Sequence, residues 1–281
     1  MSAVIPFDAS AELREKLAAH YGFDQPLAVQ FLRWLGNAVQ GDLGTSLSTG
    51  RPVAQEVGTA VWNSVRLAVL AAVFALPLGI GLGVLAGARE GGWIDRLIGA
   101  GSLSGISIPN YWLALVLVSV VSVKLGWLPP SGAGRAGAAQ GLWDVLRFMI
   151  LPAISLSVVP VAVIARAMRG LVIDLLKQEF VTALIAKGMP PRIYLRHVAR
   201  NAAPLVLSIV GLQFGYMLGG SVLVETVYNW PGAGSLLASA IFQRDLPLLQ
   251  GTVLVLSVIF VLINLIVDLL QTYFDPRITR K

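Results

Sequence analysis

Apolar residues gather in five long runs, separated by shorter polar segments. The runs cover about Ser64–Ala88, Ser104–Leu125, Phe148–Met168, Pro204–Val224 and Gly251–Phe274. Each has roughly the 20 mostly apolar residues that a helix needs to cross a bilayer core. The pattern therefore predicts an all-α, polytopic bundle with five membrane spans. Ahead of the first run, residues 1–62 are mixed, with amphipathic stretches at Ala11–Ala19 and Val29–Val39. Between the third and fourth runs lies a long polar segment. Leu171–Lys187 is expected to be helical, Gly188-Met189-Pro190-Pro191 to break it, and a second helix to start near Arg192 and run toward Pro204.

Composition agrees with the runs. The chain is 56% hydrophobic and only 13% charged, where soluble domains run near 45–50% and 25%. Its mean hydropathy is +0.75. The absence of cysteine excludes disulfides, thiolate metal sites and cysteine nucleophiles. The formal charge of +6 is read as loops rich in Lys and Arg rather than as nucleic-acid binding.

Charge also orients the spans. Arg89, Arg96, Arg166, Arg169, Lys177, Lys187, Arg192, Arg196, Arg200, Arg277, Arg280 and Lys281 fall on one side, and Lys124, Arg135, Arg147 and Arg244 on the other. The richer side is expected to be cytoplasmic, with the C-terminus inside and residues 1–62 outside. Met1–Ser10 has no signal-peptide character. Export of the first region then implies a further membrane helix ahead of it, an expectation testable in the upstream DNA.

Within the spans, Gly79, Gly83 and Gly87, and again Gly211, Gly215 and Gly219, are spaced by four. Such faces let a second backbone approach closely; the partner helix is either in this chain or in another subunit. Pro77, Pro109, Pro152 and Pro160 are expected to kink their helices. Polar residues are few. Ser119 and Ser122 fall in the second run, Ser155 and Ser157 in the third. Gln213, Asn264 and Asp268 are candidates either for a solute pathway or for helix packing, and for Asp268 a structural partner at the membrane surface is preferred.

No phosphate-binding G-x-x-x-x-G-K-[ST] loop, G-x-S-x-G elbow or H-E-x-x-H pair occurs. His20 and His197 are the only histidines. No catalytic residue, cofactor or metal site is therefore expected, and energy for transport would come from a partner. The polar segment after the third run is the natural docking point. Arg192, Arg196 and Arg200 form one basic stripe there, read either as a solvated or lipid-facing surface or as part of a docking element.

Specific blocks then accumulate. Glu179-Phe180-Val181-Thr182-Ala183-Leu184-Ile185-Ala186-Lys187-Gly188, with Arg196-His197-Val198-Ala199-Arg200-Asn201 and Pro204, resembles the coupling loop of ABC importer permeases of the dipeptide, oligopeptide and nickel group. Gly22-Phe23-Asp24-Gln25-Pro26, Gln30–Leu35, Gly41–Ser46, Ser107–Trp112, Gly126–Gly132, Glu225–Tyr228, Trp230–Gly234, Asn264–Asp268 and Asp275-Pro276-Arg277 follow in the same order as in that family. The likeness implies a type I importer permease with six helices, the first of which is not present here. It implies a homologous second permease, two ATP-binding subunits and an extracytoplasmic solute-binding protein as partners, within the inner membrane. By the resemblance, Glu179, Phe180, Thr182, Ala183, Ala186, Lys187 and Gly188 would couple to an ATPase. Leu184-Ile185 departs from the family's small residue followed by arginine. The expected organisation is an extracytoplasmic region 1–62, a membrane domain 63–274 with its coupling loop at about 170–203, and a cytoplasmic tail 275–281. Competing readings are a partner-independent channel or secondary carrier, and a decayed scaffold. The solute, whether peptide, nickel chelate or glutathione, is not encoded in any charge pattern of the spans.

Overall fold

The computed structural model describes residues 25–134 and 141–274. The Ala11–Ala19 stretch, the block at residues 22–24, Arg135 and the 275–281 tail lie outside the described residues. Those described form helices α1 (Leu27–Val39), α2 (Val53–Ala88), α3 (Trp93–Ser107), α4 (Asn110–Leu117), α5 (Leu142–Leu176), α6 (Glu179–Ala186), α7 (Pro191–Val227), α8 (Ala233–Phe242) and α9 (Leu246–Phe274). Four of them, α2, α5, α7 and α9, are long and apolar enough to cross a membrane. A fifth span arises if α3 and α4 count as one broken helix.

The break falls at Pro109, where the sequence predicts a kink, and is sharper than a kinked single span. The sequence reads as one apolar stretch from Ser104, but the chain turns by 96° between α3 and α4. Pro109 explains it. Proline lacks an N–H and pushes the residue before it out of the helical region; Ile108 is extended, at φ −81° and ψ 120°. After Leu117 the helix widens into a π turn at Val118–Lys124. Pro77, Pro152 and Pro160 sit inside helices that continue past them.

The chain divides into two compact units. The described part of the first comprises residues 25–64 with 231–258. Its core is Leu43, Val53, Val57, Ala240 and Leu248. Val53 and Val57 recur at helical spacing, which is why α2 starts at Val53 rather than at the apolar run near Ser64. Asp42 Oδ1 accepts the Gly44 N–H at 2.9 Å, closing a turn that delivers Leu43 inward. Asp245 anchors the loop that follows. Its carboxylate accepts Ser46 Oγ at 2.6 Å, the Ser48 N–H at 3.0 Å, Ser48 Oγ at 2.9 Å and the Leu248 N–H at 3.1 Å. Burial pushes this carboxyl up, but the donors, Ser46 first, outweigh it and hold it below the usual carboxylate range.

The described part of the second unit comprises residues 65–134, 141–230 and 259–274. Helix α5 is its centre and packs on α3, α4, α6 and α7. Here the glycine faces find their partners. A Cβ at Gly79, Gly83 or Gly87 would lie 2.8, 2.4 or 2.8 Å from Cβ of Ile164, Met168 or Val172. The two four-residue rows interlock, α2 supplying the gaps and α5 the knobs. A Cβ at Gly211 would meet Val267, and one at Gly215 would meet Phe260, both on α9. Five of the six glycines thus pack within the chain; Gly219 faces open space. Ser155 is structural as well. It donates to the Leu151 carbonyl at 3.0 Å and pairs with the Tyr228 hydroxyl at 3.0 Å. Ser157 bonds the Ile154 carbonyl in its own helix.

Candidate functional site

The segment between α5 and α7 carries the expected coupling residues. The chain does not run as one helix from Leu171 to Lys187. Helix α5 ends at Leu176, and α6 begins at Glu179 after an extended Gln178 with φ −70° and ψ 148°. Glu179 sits in the first turn of α6, where a negative charge complements the helix dipole.

The stop is equally specific. Gly188 adopts φ +70°, a conformation that side-chain-bearing residues disfavour. Its N–H bonds the Ile185 carbonyl at 2.9 Å, and the Met189 N–H bonds the Leu184 carbonyl at 3.1 Å. Together these form a Schellman ending. Pro190 then caps α7 and Pro191 occupies its first turn, where a missing N–H costs nothing. Helix α7 does not stop near Pro204. It runs through to Val227, so the polar start and the apolar fourth run are one 37-residue helix, about 55 Å long at 1.5 Å per residue.

Val181 is the buried anchor of α6. It is 1% exposed and joins Leu175, Val198 and Ala202 in a core that half-buried Phe180 and Tyr194 complete. Of the expected coupling residues, Phe180 faces this core. Glu179, Thr182, Ala183, Ala186, Lys187 and Gly188 are exposed. They present a short face of mostly small side chains. In the unusual pair, Leu184 is half buried and Ile185 is 55% exposed. Sequence reasoning missed Val181 as the anchor. The available signal was the apolar spacing of Val198 and Ala202, four apart on α7.

A second missed pairing ties down the same end of the unit. Asp95 is 4% exposed. It accepts Arg169 Nη2 at 2.8 Å and Arg169 Nε, and also accepts the Gly91 N–H at 2.9 Å. Lys177 Nζ meets Glu90 Oε1 at 2.8 Å in a more exposed pair. Arg169 and Lys177 had counted only as surface charge. Both instead hold the α2–α3 turn against α5.

The intramembrane candidates sit on α7 and α9. Gln213 is 7% exposed on α7, between the two glycines that α9 covers. Asn264 donates to the Phe260 carbonyl of its own helix at 2.8 Å. Asp268 is half buried near the end of α9. Among the described residues, no group of three or more His, Cys, Asp or Glu could hold a metal ion.

These features describe a bundle of membrane-length helices with a short helix held out between two of them. Residues 79–280 match the family described as "Binding-protein-dependent transport system inner membrane component". The chain belongs to that family. Among its relatives is the "Glutathione transport system permease protein GsiC" of Escherichia coli, 39% identical over 98% of this chain and 87% of the relative. Another is the "Dipeptide transport system permease protein DppB" of Alkalihalophilus pseudofirmus, 36% identical over 96% and 86%. The solved structure of the inward-facing MetNI methionine ABC transporter shares the fold, with a TM-score of 0.62 over 80% of this chain and 96% of that one, at 18% identity.

The protein is a permease subunit of an ABC importer, all-α and multi-pass in the inner membrane. It is not an enzyme, and ATP hydrolysis belongs to separate subunits. Membership implies ATP-binding and substrate-binding partners and a second permease. The channel, carrier and scaffold readings are not favoured.

Proposed function

We propose that this chain forms half of an ATP-driven import pathway for a small peptide such as glutathione or a dipeptide. The names of its relatives support that solute class. In this reading residues 1–62 lie outside, 63–274 form the membrane domain with its coupling loop at about 170–203, and 275–281 are cytoplasmic. A homologous permease supplies the other half, two ATP-binding subunits sit beneath, and an extracytoplasmic binding protein delivers the solute. Gln213, Asn264 and Asp268 contribute to the pathway or to the packing around it.

The observation that carries the proposal is α6. It is eight residues long, fastened by Val181, and closed by Gly188 between two membrane-length helices. A force on its exposed face is passed to α5 and α7 through the Leu175–Val181–Val198 core. The natural absence of cysteine makes the test clean. Ala183→Cys and Ala186→Cys in the assembled transporter are expected to crosslink to a cysteine in the ATP-binding subunit, and Gly99→Cys is not. No crosslink from either α6 position would refute the docking role.

A further inference from the structure

Helix α7 has two opposite faces before it enters the apolar segment. Tyr194, Val198 and Ala202 turn toward α6 and the end of α5. Arg192, Arg196 and Arg200 are offset by two residues, about 200° around the helix, and all three are exposed. Together with Ile193 and His197 they line an open concavity of about 590 Å³. Among the described residues none of the three arginines has a hydrogen-bond or ion-pair partner. The stretch from Pro191 to Pro204 contains no Asp or Glu, so nothing on this part of α7 balances the charge.

Register decides what can. Arg200 precedes Pro204, where the apolar run begins, by four residues, or about 6 Å of helix. Arg196 and Arg192 follow at about 12 and 18 Å. The polar layer on each side of a bilayer is about 5–8 Å deep, and arginine stems reach back toward it. Arg200 therefore lies in that layer, while the backbones of Arg196 and Arg192 stand about 4 and 10 Å outside it and approach it only through their stems. Exposed Ile193 and Leu195 between them suit an interface rather than bulk water. Guanidinium groups spaced along one face match phosphate oxygens bidentately.

We propose that Arg196 and Arg200, with His197, bind the phosphates of anionic phospholipid headgroups in the cytoplasmic leaflet, Arg192 adding longer-range attraction to the same charged surface. The lipid steadies the α7 face opposite the one that grips α6. This rests on the cytoplasmic placement of the segment but not on the docking of α6.

The test is native mass spectrometry of the assembled transporter, extracted from vesicles of three parts phosphatidylcholine to one part phosphatidylglycerol. The wild type is expected to retain phosphatidylglycerol in preference to phosphatidylcholine. Each arginine removed is expected to weaken retention about fivefold, so Arg192→Gln/Arg196→Gln/Arg200→Gln loses it roughly a hundredfold. The triple Lys replacement keeps most of it. If the triple Gln variant does not assemble, Arg196→Gln alone must show the fivefold loss. Equal retention in the Gln variants, or no preference between the two lipids, would overturn the proposal. So would full displacement of the lipid by inorganic phosphate, which would mark a soluble-anion site. An Arg196→Cys crosslink to the ATP-binding subunit would mark a protein contact and overturn it too. Loss of lipid with the Ala183→Cys crosslink intact would support the lipid site and leave the docking role standing.

Discussion

Adding one methyl group at Gly83 tests the packing of the second unit. Its Cβ would lie 2.4 Å from Met168 Cβ and 2.6 Å from the Ala165 carbonyl oxygen, where carbon contacts prefer about 3.5–4.0 Å. Helices α2 and α5 would have to part by more than 1 Å at this point. Gly79 and Gly87, one turn away on either side, would lose contact with Ile164 and Val172 as well. In solution Ala gains about 1 kcal/mol over Gly in a helix, while overpacking costs about 1–3 kcal/mol. Because a backbone oxygen and two neighbouring contacts are involved, the upper end applies, and Gly83→Ala is expected to destabilise by about 2 kcal/mol. Gly81, two residues away, has nothing within 4 Å, so Gly81→Ala is neutral or stabilising. Thermal unfolding in detergent should separate the two variants by about 4–8 °C. Trimming Met168 to Ala is not expected to rescue Gly83→Ala, since its Cβ and the Ala165 carbonyl remain. Trimming Val267 to Ala should partly rescue Gly211→Ala, because it removes the two nearest atoms, at 2.3 and 2.6 Å. Equal melting of Gly83→Ala and Gly81→Ala would refute the interlocked rows.

Other outcomes follow from single sites. Gly188 has open space around it but φ +70°; Gly188→Ala should cost about 1–2 kcal/mol and Gly188→Asn less, read as hydrogen-exchange protection of α6. Asp245→Ala leaves buried donors unpaired and should cost about 2–3 kcal/mol in unfolding. Since the folded carboxyl of Asp245 is held low, its stabilisation is present above the ordinary carboxylate range near pH 4 and is lost as pH falls through the lowered value. Asp245→Asn should therefore flatten the acid limb of the stability profile. Asp95→Ala should speed proteolysis at the α2–α3 turn, and the swap Asp95→Arg/Arg169→Asp should slow it again if the pair, rather than either charge, holds the turn.

Much of this architecture was legible because its causes are local. Twenty apolar residues in a row specify a span whatever surrounds them, and Gly188 before two prolines specifies a stop. The coupling segment was readable as a block of types in order. What escaped depends on distant residues. Asp95 and Arg169 are 74 positions apart, and neither stands out until the fold joins them. Val181 is one valine among many apolar residues until Val198 and Ala202 arrive opposite it. Pro109 marked a kink in the second run, but hydropathy carries no signal of how sharply the chain turns there. The helical turns of α2 ahead of the first apolar run gave no signal for a different reason: they are half polar, and only Leu43, Ala240 and Leu248 make Val53 and Val57 part of a core. The glycine faces announced close packing but could not name the partner, because spacing by four looks the same toward any helix.

The central claim is that solute crosses only when α6 is driven by a separate ATPase. It is tested most directly by ATP-dependent uptake of glutathione or a dipeptide into vesicles containing the assembled transporter. The variant is Gly188→Pro with Glu179→Arg. Proline cannot adopt φ +70° and removes the N–H bonded to Ile185, and arginine opposes the dipole at the start of α6. The account predicts that this variant inserts and assembles with its partners but loses uptake, while ATP hydrolysis no longer responds to solute. Normal uptake by the double variant, or uptake by the wild type without ATP, would contradict it.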